Sequence, residues 1–239
     1  MSQAIELPGG VLLEWVEIRP GRFSMGSEQG RDDERPVHEV ELPAFGLGRT
    51  PVTREQYAAF LEDAAVPPPP TWDDARWQRR LQPAVGMSWY EAVEFTFWLS
   101  GLTAREVRLP SEAEWERAVR GGLEQQPTAW GPELPAGEIP EGELDAPWDV
   151  GQGTPNGFGL LDPGTVVHEW CLDWYAPAYY SVAPTHAPPG PEEGARRASR
   201  GGSWRHKVRW SPPSARSSLP PEFHYADYGF RVLVELAVV

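Results

Sequence analysis

The chain has 239 residues, of which 40% are apolar and 12 are tryptophan, so it can build a substantial core and is not expected to be disordered. This length fits one large domain or two small ones. The net charge of −14 argues against non-specific binding to nucleic acid or to acidic membranes. No run approaches the roughly 18 apolar residues that a membrane span needs.

Cellular location is predicted from the N-terminus and from cysteine usage. The first ten residues, MSQAIELPGG, have neither the basic start nor the apolar core of a secretory signal. The single cysteine, Cys171, allows no internal disulfide and is typical of a reducing compartment. We therefore expect a cytoplasmic protein in which Cys171 is a buried, unreactive core residue.

The N-terminal half begins with strand patterns and continues with helices. Residues 11–25 alternate around Arg19-Pro20-Gly21 as in a hairpin, and residues 37–42 form another strand-like run. Three helix starts follow, each with a capping box in which a hydroxyl residue precedes Glu or Gln by three positions. The pairs are Thr53 with Gln56, Ser88 with Glu91, and Ser111 with Glu114.

Each predicted helix has a recognisable apolar pattern. The first places Tyr57, Phe60, Leu61 and Ala64 on one face. The second, over residues 89–100, is apolar almost all round and is predicted to be well buried. The third covers residues 112–120 and ends at Gly121-Gly122.

The second half is rich in loops. Residues 123–154 and 178–194 are predicted to be mostly loop, and Asn156-Gly157 is a turn signal. Strand-like stretches return at residues 166–174, 198–204 and 230–238. This order of strands, helices and then loops with strands indicates an α+β fold with a long loop-rich half.

The most informative stretch is residues 200–231. Its ends, Arg-Gly-Gly-Ser-Trp and Gly-Phe-Arg-Val, are typical of a framework, while its interior carries mixed side chains, including Lys207, the only lysine of the chain. Between Gly194 and Pro221 there are seven basic residues and no acidic one. These residues either form a basic patch that favours an acidic ligand or, at Arg200 and Arg216, serve as internal salt-bridge partners.

Eight motifs occur in an order that resembles one known family. They are GRFSMGS, DERPVHEVELPAFGLGRTPVTREQYAAF, VGMSWYEAVEFTFWLS, RLPSEAEWERAVRGG, NGFGLLD, EWCLDWY, RGGSW and GFRV. Together they resemble the formylglycine-generating-enzyme (sulfatase-modifying factor) family. The resemblance implies one domain over residues 1–239 with a loop-rich C-type lectin fold, and a ligand-binding variable region at residues 200–231 is implied by a further resemblance of the C-terminal segment alone. It does not settle function, because one fold serves many functions.

The resemblance also implies which metals the chain lacks. Catalytic members hold copper with two cysteine thiolates, and here the first position falls on His206 and the second near Ser211 or in a gap. Relatives that form carbon–sulfur bonds hold iron with histidines from an additional domain. The five histidines here show no local ligand spacing, so no metal is predicted, although a site assembled in space stays open. Formylglycine chemistry is not expected.

Many members of the resembled family also bind calcium. Its motif is Gly-Asn-x-x-Glu-Trp, where oxygen ligands hold the ion, but here Val166 replaces the Asn. We therefore expect calcium to be absent or weakly bound. Glu169 and Asp173 are then predicted to be salt-bridge partners of arginines.

The C-terminal segment resembles the variable proteins of diversity-generating retroelements, which bind ligands and are not enzymes. This resemblance implies a non-catalytic protein with a varied surface on a fixed frame; Trp, Phe, Tyr and Arg suit such a surface. The implied ligand is a protein or another macromolecule, not a membrane or nucleic acid. The predicted ligand-binding residues are Arg205, His206, Lys207, Arg209, Trp210, Ser211, Ser217, Ser218, Leu219, Glu222, Phe223, His224, Tyr225, Ala226 and Asp227.

Three alternatives remain open at this point. In an ordinary divergent relative, Trp210, Phe223 and Tyr225 would merely cover the core. In a metal-dependent oxidase or sulfur-chemistry enzyme, His206 would act as a base or ligand in a pocket of converging polar groups. In a regulatory pseudo-enzyme, the fold would be retained to bind a peptide.

Overall fold

A computed structural model of the chain describes residues 2–136, 144–207 and 211–236. The first half contains β1 (Ser2–Leu7), β2 (Val11–Ile18), β3 (Gly21–Met25), β4 (His38–Leu42), β5 (Phe45–Gly48), α1 (Arg54–Ala64), α2 (Trp89–Thr103), β6 (Val107–Arg108) and α3 (Glu112–Arg120). The second half contains β7 (His168–Trp174), β8 (Arg197–Arg200), β9 (Arg216–Leu219), β10 (Tyr228–Gly229) and β11 (Leu233–Glu235). The predicted α+β, loop-rich fold is confirmed.

The largest sheet joins the two ends of the chain. Its strand order is β1-β2-β5-β11-β6, and every neighbouring pair is antiparallel. The C-terminal strand β11 therefore lies between β5 and β6, with Leu233 opposite Leu47 on one side and Arg108 on the other. Helices α1 and α2 supply aromatic rings to the core of this sheet, where Phe95 packs against Phe230 with ring centroids 5.3 Å apart.

The predicted hairpin over residues 11–25 is wrong. The two strands exist, but β2 pairs with β1 on one side and β5 on the other, whereas β3 pairs with β4. Both hydrogen-bonding edges of β2 are thus used by other strands, and no edge is left for β3. Alternation along the chain predicts a strand correctly, but it does not identify the partner.

A second sheet carries most of the C-terminal segment. Its order is β10-β7-β8-β9, in which β7 supplies the parallel partner of β10 and the antiparallel partner of β8. Glu169 lies opposite Arg200, which in turn lies opposite Arg216. Strand β8 ends at Arg200, before the sequence pattern predicts, where Gly201 adopts a positive φ of 77°.

The three predicted capping boxes are all present, so the helix starts are confirmed. Helix α3 covers the predicted residues, and every side chain from Glu112 to Arg120 is buried. The predicted burial of α2 on all sides is wrong, because Phe97 is 79% exposed and Tyr90 is exposed as well. None of the described helices is long and apolar enough to cross a membrane.

Candidate ligand-binding surface

Two of the arginines in the C-terminal segment are internal salt-bridge partners. Arg200 is fully buried and donates to Glu112 at 3.2 Å, to the Tyr180 hydroxyl at 2.9 Å and to Glu116. Arg216 donates from Nε and Nη2 to the two carboxylate oxygens of Glu112, at 3.0 and 2.7 Å. Such two-point contacts are among the stronger hydrogen bonds in proteins.

Charge pairing explains why two glutamates tolerate burial in α3. Burial opposes ionisation of Glu112 and Glu116, but the neighbouring guanidinium groups hold the pKa of each carboxyl below its ordinary value. For Glu112 these groups are Arg216 and Arg200, and for Glu116 they are Arg200 and Arg120. The start of the C-terminal segment is therefore tied to α3 through ionised pairs.

The end of the segment is also held by an arginine–glutamate pair, although burial raises the pKa of the Glu169 carboxyl above its ordinary value. Arg231 is fully buried and its Nε donates to both oxygens of Glu169, at 3.1 and 3.0 Å. Its other nitrogens donate to four backbone carbonyls, those of Gly48, Arg49, Leu161 and Asp162. The prediction that Glu169 pairs with an arginine is confirmed.

The matching prediction for Asp173 is wrong. Within the part of the chain that the structure describes, Asp173 forms no ion pair with an arginine; its Oδ2 accepts a hydrogen bond from the Glu112 backbone N–H at 2.9 Å. Burial, reinforced by the negative charge of Glu112, raises the pKa of Asp173 to about 8. Asp173 therefore supports the first turn of α3 as a carboxyl group that holds its proton near neutral pH.

The tryptophan and phenylalanine of the framework motifs belong to the core. Trp204 is buried beside Trp77, with ring centroids 6.1 Å apart, and its backbone N–H donates to the Val166 carbonyl at 3.0 Å. Phe230 is fully buried among the rings of α1 and α2. The frame residues on both sides of the segment are thus fixed by packing as well as by charge.

Between these fixed ends, two stretches face solvent. Residues 205–207 are all exposed, and so are residues 222–225. Phe223 is 45% and Tyr225 50% exposed, so about half of the surface of each ring faces solvent. The Nε2 atom of His224 lies 2.8 Å from Oε2 of Glu91, the residue that completes the capping box of α2. The second stretch therefore packs against the start of that helix.

The two exposed stretches are joined through one group of side chains, and together we call them the display surface (residues 205–207 and 222–225). A chain of neighbouring rings joins them: His206 to His168 at 5.4 Å, His168 to Tyr228 at 5.0 Å, and Tyr228 to Tyr225 at 6.2 Å between centroids. A hydrogen bond of 2.9 Å from the Ser203 hydroxyl to Asp227 links the loops that carry them. The two stretches are therefore connected through half-buried His168 and buried Tyr228, which belong to the frame.

Several other predicted ligand-binding residues are partly built into the frame. Asp227 is only 5% exposed, so its predicted display to solvent is wrong. Strand β9 contains three of these residues, half-buried Ser217, Ser218 and Leu219. The Ser217 hydroxyl contacts the Tyr228 hydroxyl, and the Ser218 hydroxyl accepts a hydrogen bond from Arg196. Ser211 and Ala226 are also half-buried, and Arg209 and Trp210 lie outside the described residues.

Copper of the kind that catalytic relatives use does not fit these residues. The only thiol, Cys171, is buried in β7, and burial raises its pKa well above the ordinary value, so it does not supply a thiolate. His206 is an imidazole, and the Ser211 side chain lies over Gly202, where an added Cβ would come within 2.0 Å of its hydroxyl oxygen. Neither residue offers the soft sulfur ligand that Cu(I) selects.

Calcium does not fit the family position either. Both oxygens of Glu169 contact Arg231, and one of them also accepts from the Trp115 indole at 2.7 Å. Val166, which replaces the asparagine, is fully buried in an apolar cluster. The one carboxylate left from the motif is thus committed to holding the frame.

A different polar group does converge beside the display surface. One ligand-type atom from each of His168, His206 and Asp227 lies within 4.8 Å of the others. The sequence alone missed His168 as a partner of His206, because the two are far apart in the chain and neither belongs to a local ligand pattern. Only the parallel pairing of β7 and β10 brings His168 next to the end of the C-terminal segment.

Comparisons with known proteins agree with the fold. The family described as "Sulfatase-modifying factor enzyme 1-like domain" matches residues 11–236. Formylglycine-generating enzyme from Streptomyces coelicolor is 33% identical over 90% of this chain and 87% of its own length. Serine/threonine-protein kinase Pkn1 from Chlamydia trachomatis is 34% identical over 94% of this chain, which spans only 38% of that relative.

Two solved structures have similar folds. PvdO from Pseudomonas aeruginosa gives a TM-score of 0.83 at 26% identity, over 94% of this chain and 95% of the other. Treponema denticola variable protein 1 gives 0.86 at 22% identity, over 98% and 99%. The C-type lectin type of fold predicted from the motifs is therefore confirmed over nearly the whole chain.

Proposed function

Because the chain belongs to the sulfatase-modifying factor enzyme 1-like domain family yet lacks the thiolates of its copper enzymes, we propose that it is a non-catalytic ligand-binding protein. The display surface is the proposed binding site. One observation carries this proposal: two exposed stretches are joined through neighbouring rings, while buried ion pairs and rings fix the frame around them.

The chemistry of the display surface suits a macromolecular partner. Phe223 and Tyr225 offer large rings with few rotatable bonds, so little entropy is lost when they are covered. Arg205 and Lys207 add exposed positive charge to a chain whose net charge is −14. Aromatic and arginine side chains dominate the energy of protein interfaces, so a protein with an apolar patch and acidic neighbours is the expected ligand.

The proposal extends to variation of this surface, as in the variable proteins of diversity-generating retroelements. Support comes from the fold shared with Treponema denticola variable protein 1 and from the position of the exposed residues between rigid ends. Exposed positions of this kind can change with little effect on stability. Half-buried Ser217 and buried Asp227 should tolerate fewer exchanges than residues 222–225.

The neighbouring genome tests the variation. A near-copy of the coding segment should lie close to the gene and differ from it only at adenines, with the altered codons concentrated at residues 205–207 and 222–225. Differences spread evenly over all bases, or falling equally on the codons of Trp204 and Phe230, would contradict a variable segment held in a fixed frame.

Site-specific photo-cross-linking tests binding. Benzoylphenylalanine is placed at position 225 or, as the matched control, at position 12, because Tyr225 and Leu12 are exposed to similar extents, 50% and 55%. After irradiation in an extract of the native host, position 225 should capture a discrete partner that position 12 does not. Equal capture at both positions, or none at position 225, would contradict a binding role for the display surface.

A metal-dependent enzyme is the second candidate function, and the convergence of His168, His206 and Asp227 is the observation that favours it. The oxidase reaction of copper relatives is tested by supplying Cu(I), dissolved O2 as the oxidant and a cysteine-containing peptide. No peptide oxidation above that of free copper is expected, because the chain has no pair of thiolates. Oxidation of more than one peptide per protein molecule, above the level with free copper, would overturn the non-catalytic proposal.

A further inference from the structure

We propose that His168, His206 and Asp227 form a binding site for one divalent transition-metal ion. The three side chains come from separate parts of the chain: the start of β7, the loop after β8, and the residue before β10. One ligand-type atom of each lies within 4.8 Å of the others. This inference goes beyond ligand binding by the display surface and does not depend on it.

His168 gives the first indication of a missing partner. Its Nδ1 atom is buried and makes no hydrogen bond within ordinary distance and angle limits among the described residues, although the Gly201 backbone lies close to the His168 ring. A buried polar atom without a partner costs free energy, and such atoms are rare in folded proteins, so each one calls for an explanation. A metal ion bound to this nitrogen would satisfy it.

Asp227 is held in place by its neighbours. Its side chain is buried, and its Oδ2 accepts a hydrogen bond from the Ser203 hydroxyl at 2.9 Å. Its backbone carbonyl accepts from the His168 N–H at 3.0 Å, which fixes these two residues relative to each other. Hydrogen bonds of this kind orient metal ligands before the ion arrives.

His206 is the exposed member of the group. Its ring lies against that of His168, with centroids 5.4 Å apart, and its backbone N–H donates to the Ser203 carbonyl at 2.9 Å. Tetrahedral ligands about 2.0–2.2 Å from an ion are roughly 3.4 Å apart, so the group must close only slightly. Because His206 is exposed, a rotation of its side chain can shorten its distances to the other two ligands.

The ligand set selects the kind of ion. Two imidazoles and one carboxylate suit Zn²⁺ and Fe²⁺, whereas calcium requires an oxygen cage and Cu(I) prefers sulfur. Three protein ligands leave at least one coordination position open. That position would lie beside the display surface, where a donor atom of a bound ligand, such as a carboxylate, could complete the coordination.

Metal binding is measured by equilibrium dialysis of the EDTA-treated, full-length protein against Zn²⁺ alone. The wild-type chain should bind one equivalent. His206→Ala and Asp227→Asn should each weaken binding about 100-fold or more, and Ser203→Ala about 10–100-fold, since it only orients Asp227. His186→Ala is the matched control, because His186 is also exposed and lies 2.9 Å from a carboxylate, that of Glu41.

Two further measurements guard against loss of folding in the variants. Zn²⁺ should raise the melting temperature of the wild type and of His186→Ala but not that of His206→Ala, because only an intact site stabilises the folded state. Co²⁺ should give visible d–d absorption that is lost in Asp227→Asn. Binding below a tenth of an equivalent in the wild type, or equal affinity in His206→Ala, would overturn the proposal.

The metal site and the display surface can fail separately. Cross-linking at position 225 is carried out with EDTA present, so that capture of a partner there depends on the surface alone. The dialysis uses no protein partner, so that it depends on the three ligands alone.

Discussion

Arginines serve opposite purposes in two regions of the same C-terminal segment. Arg200, Arg216 and Arg231 are buried and paired with glutamates that lie far upstream, in α3 and β7. Arg205, only a few residues from Arg200, is exposed on the display surface. The difference shows that an arginine belongs to the frame when a buried carboxylate lies next to it, and to the display surface when none does. Residue type alone does not decide between the two.

Replacing a buried arginine of the frame should have the largest effect on stability. Arg200→Met leaves Glu112 and Glu116 buried with less positive charge nearby, so the free energy of unfolding should fall by about 3–5 kcal/mol. Urea denaturation measures the loss. The matched Arg205→Met on the display surface should leave the midpoint nearly unchanged, and similar losses at both positions would erase the distinction between the two regions.

The aromatic residues sharpen the same comparison. Trp204→Ala should cost about 3–5 kcal/mol, because the indole is fully buried. Tyr225→Ala should change stability by no more than about 0.5 kcal/mol, because half of its surface already faces solvent. Thermal unfolding of both variants checks this, and a large loss at Tyr225 would assign that ring to the core.

A third prediction concerns pH and the support of α3. Asp173 has a folded pKa of about 8 against an ordinary value of 3.8, because burial and then the charge of Glu112 disfavour its ionised form. The folded state therefore keeps a proton that the unfolded chain releases, and stability falls as pH rises towards 8, by at most about 1.4 kcal/mol per pH unit.

Asp173→Asn isolates this contribution. The amide oxygen can still accept the Glu112 N–H, but the titrating group is gone. Between about pH 5 and about pH 8, the variant should lose less stability than the wild type in urea titrations. Glu112 and Glu116 are present in both proteins, so parallel pH curves would show that Asp173 does not hold the proton.

The smallest effect is expected at Cys171. Its thiol is buried, and burial raises its pKa, so a thiol reagent should leave the folded protein unmodified at neutral pH. One equivalent should react after denaturation. Rapid labelling of the folded protein would show that β7 opens readily and that this frame is less rigid than the ion pairs imply.

Local signals predicted much of the fold. Thr53, Ser88 and Ser111 identified all three helix starts, because a capping box depends only on residues within one turn. The motifs around Trp204 and Phe230 identified the ends of the frame. Strand pairing was not predictable, since β2 bonds to β1 and β5 rather than to β3, and nothing within residues 11–25 records those partners.

The candidate site divides in the same way. The resemblance of the C-terminal segment predicted display of residues 205–207, 222–225 and Asp227 alike, and the structure exposes the two stretches but buries Asp227. Asp173 looked like an arginine partner from its charge alone, yet the arginines that could have served it bind Glu112 and Glu116 instead. Competition among buried charges is a tertiary property.

The sequence by itself determined the family, the helix starts, the absence of a thiolate pair and the ends of the C-terminal frame, because each is recorded in contiguous residues. Tertiary structure alone decided that Arg200, Arg216 and Arg231 meet buried glutamates, and that His168 lies beside His206 and Asp227. These groups are distant in the chain, and only the pairing of the strands in the second sheet and the packing of α3 against β7 and β8 bring them within reach of a hydrogen bond or a shared ion.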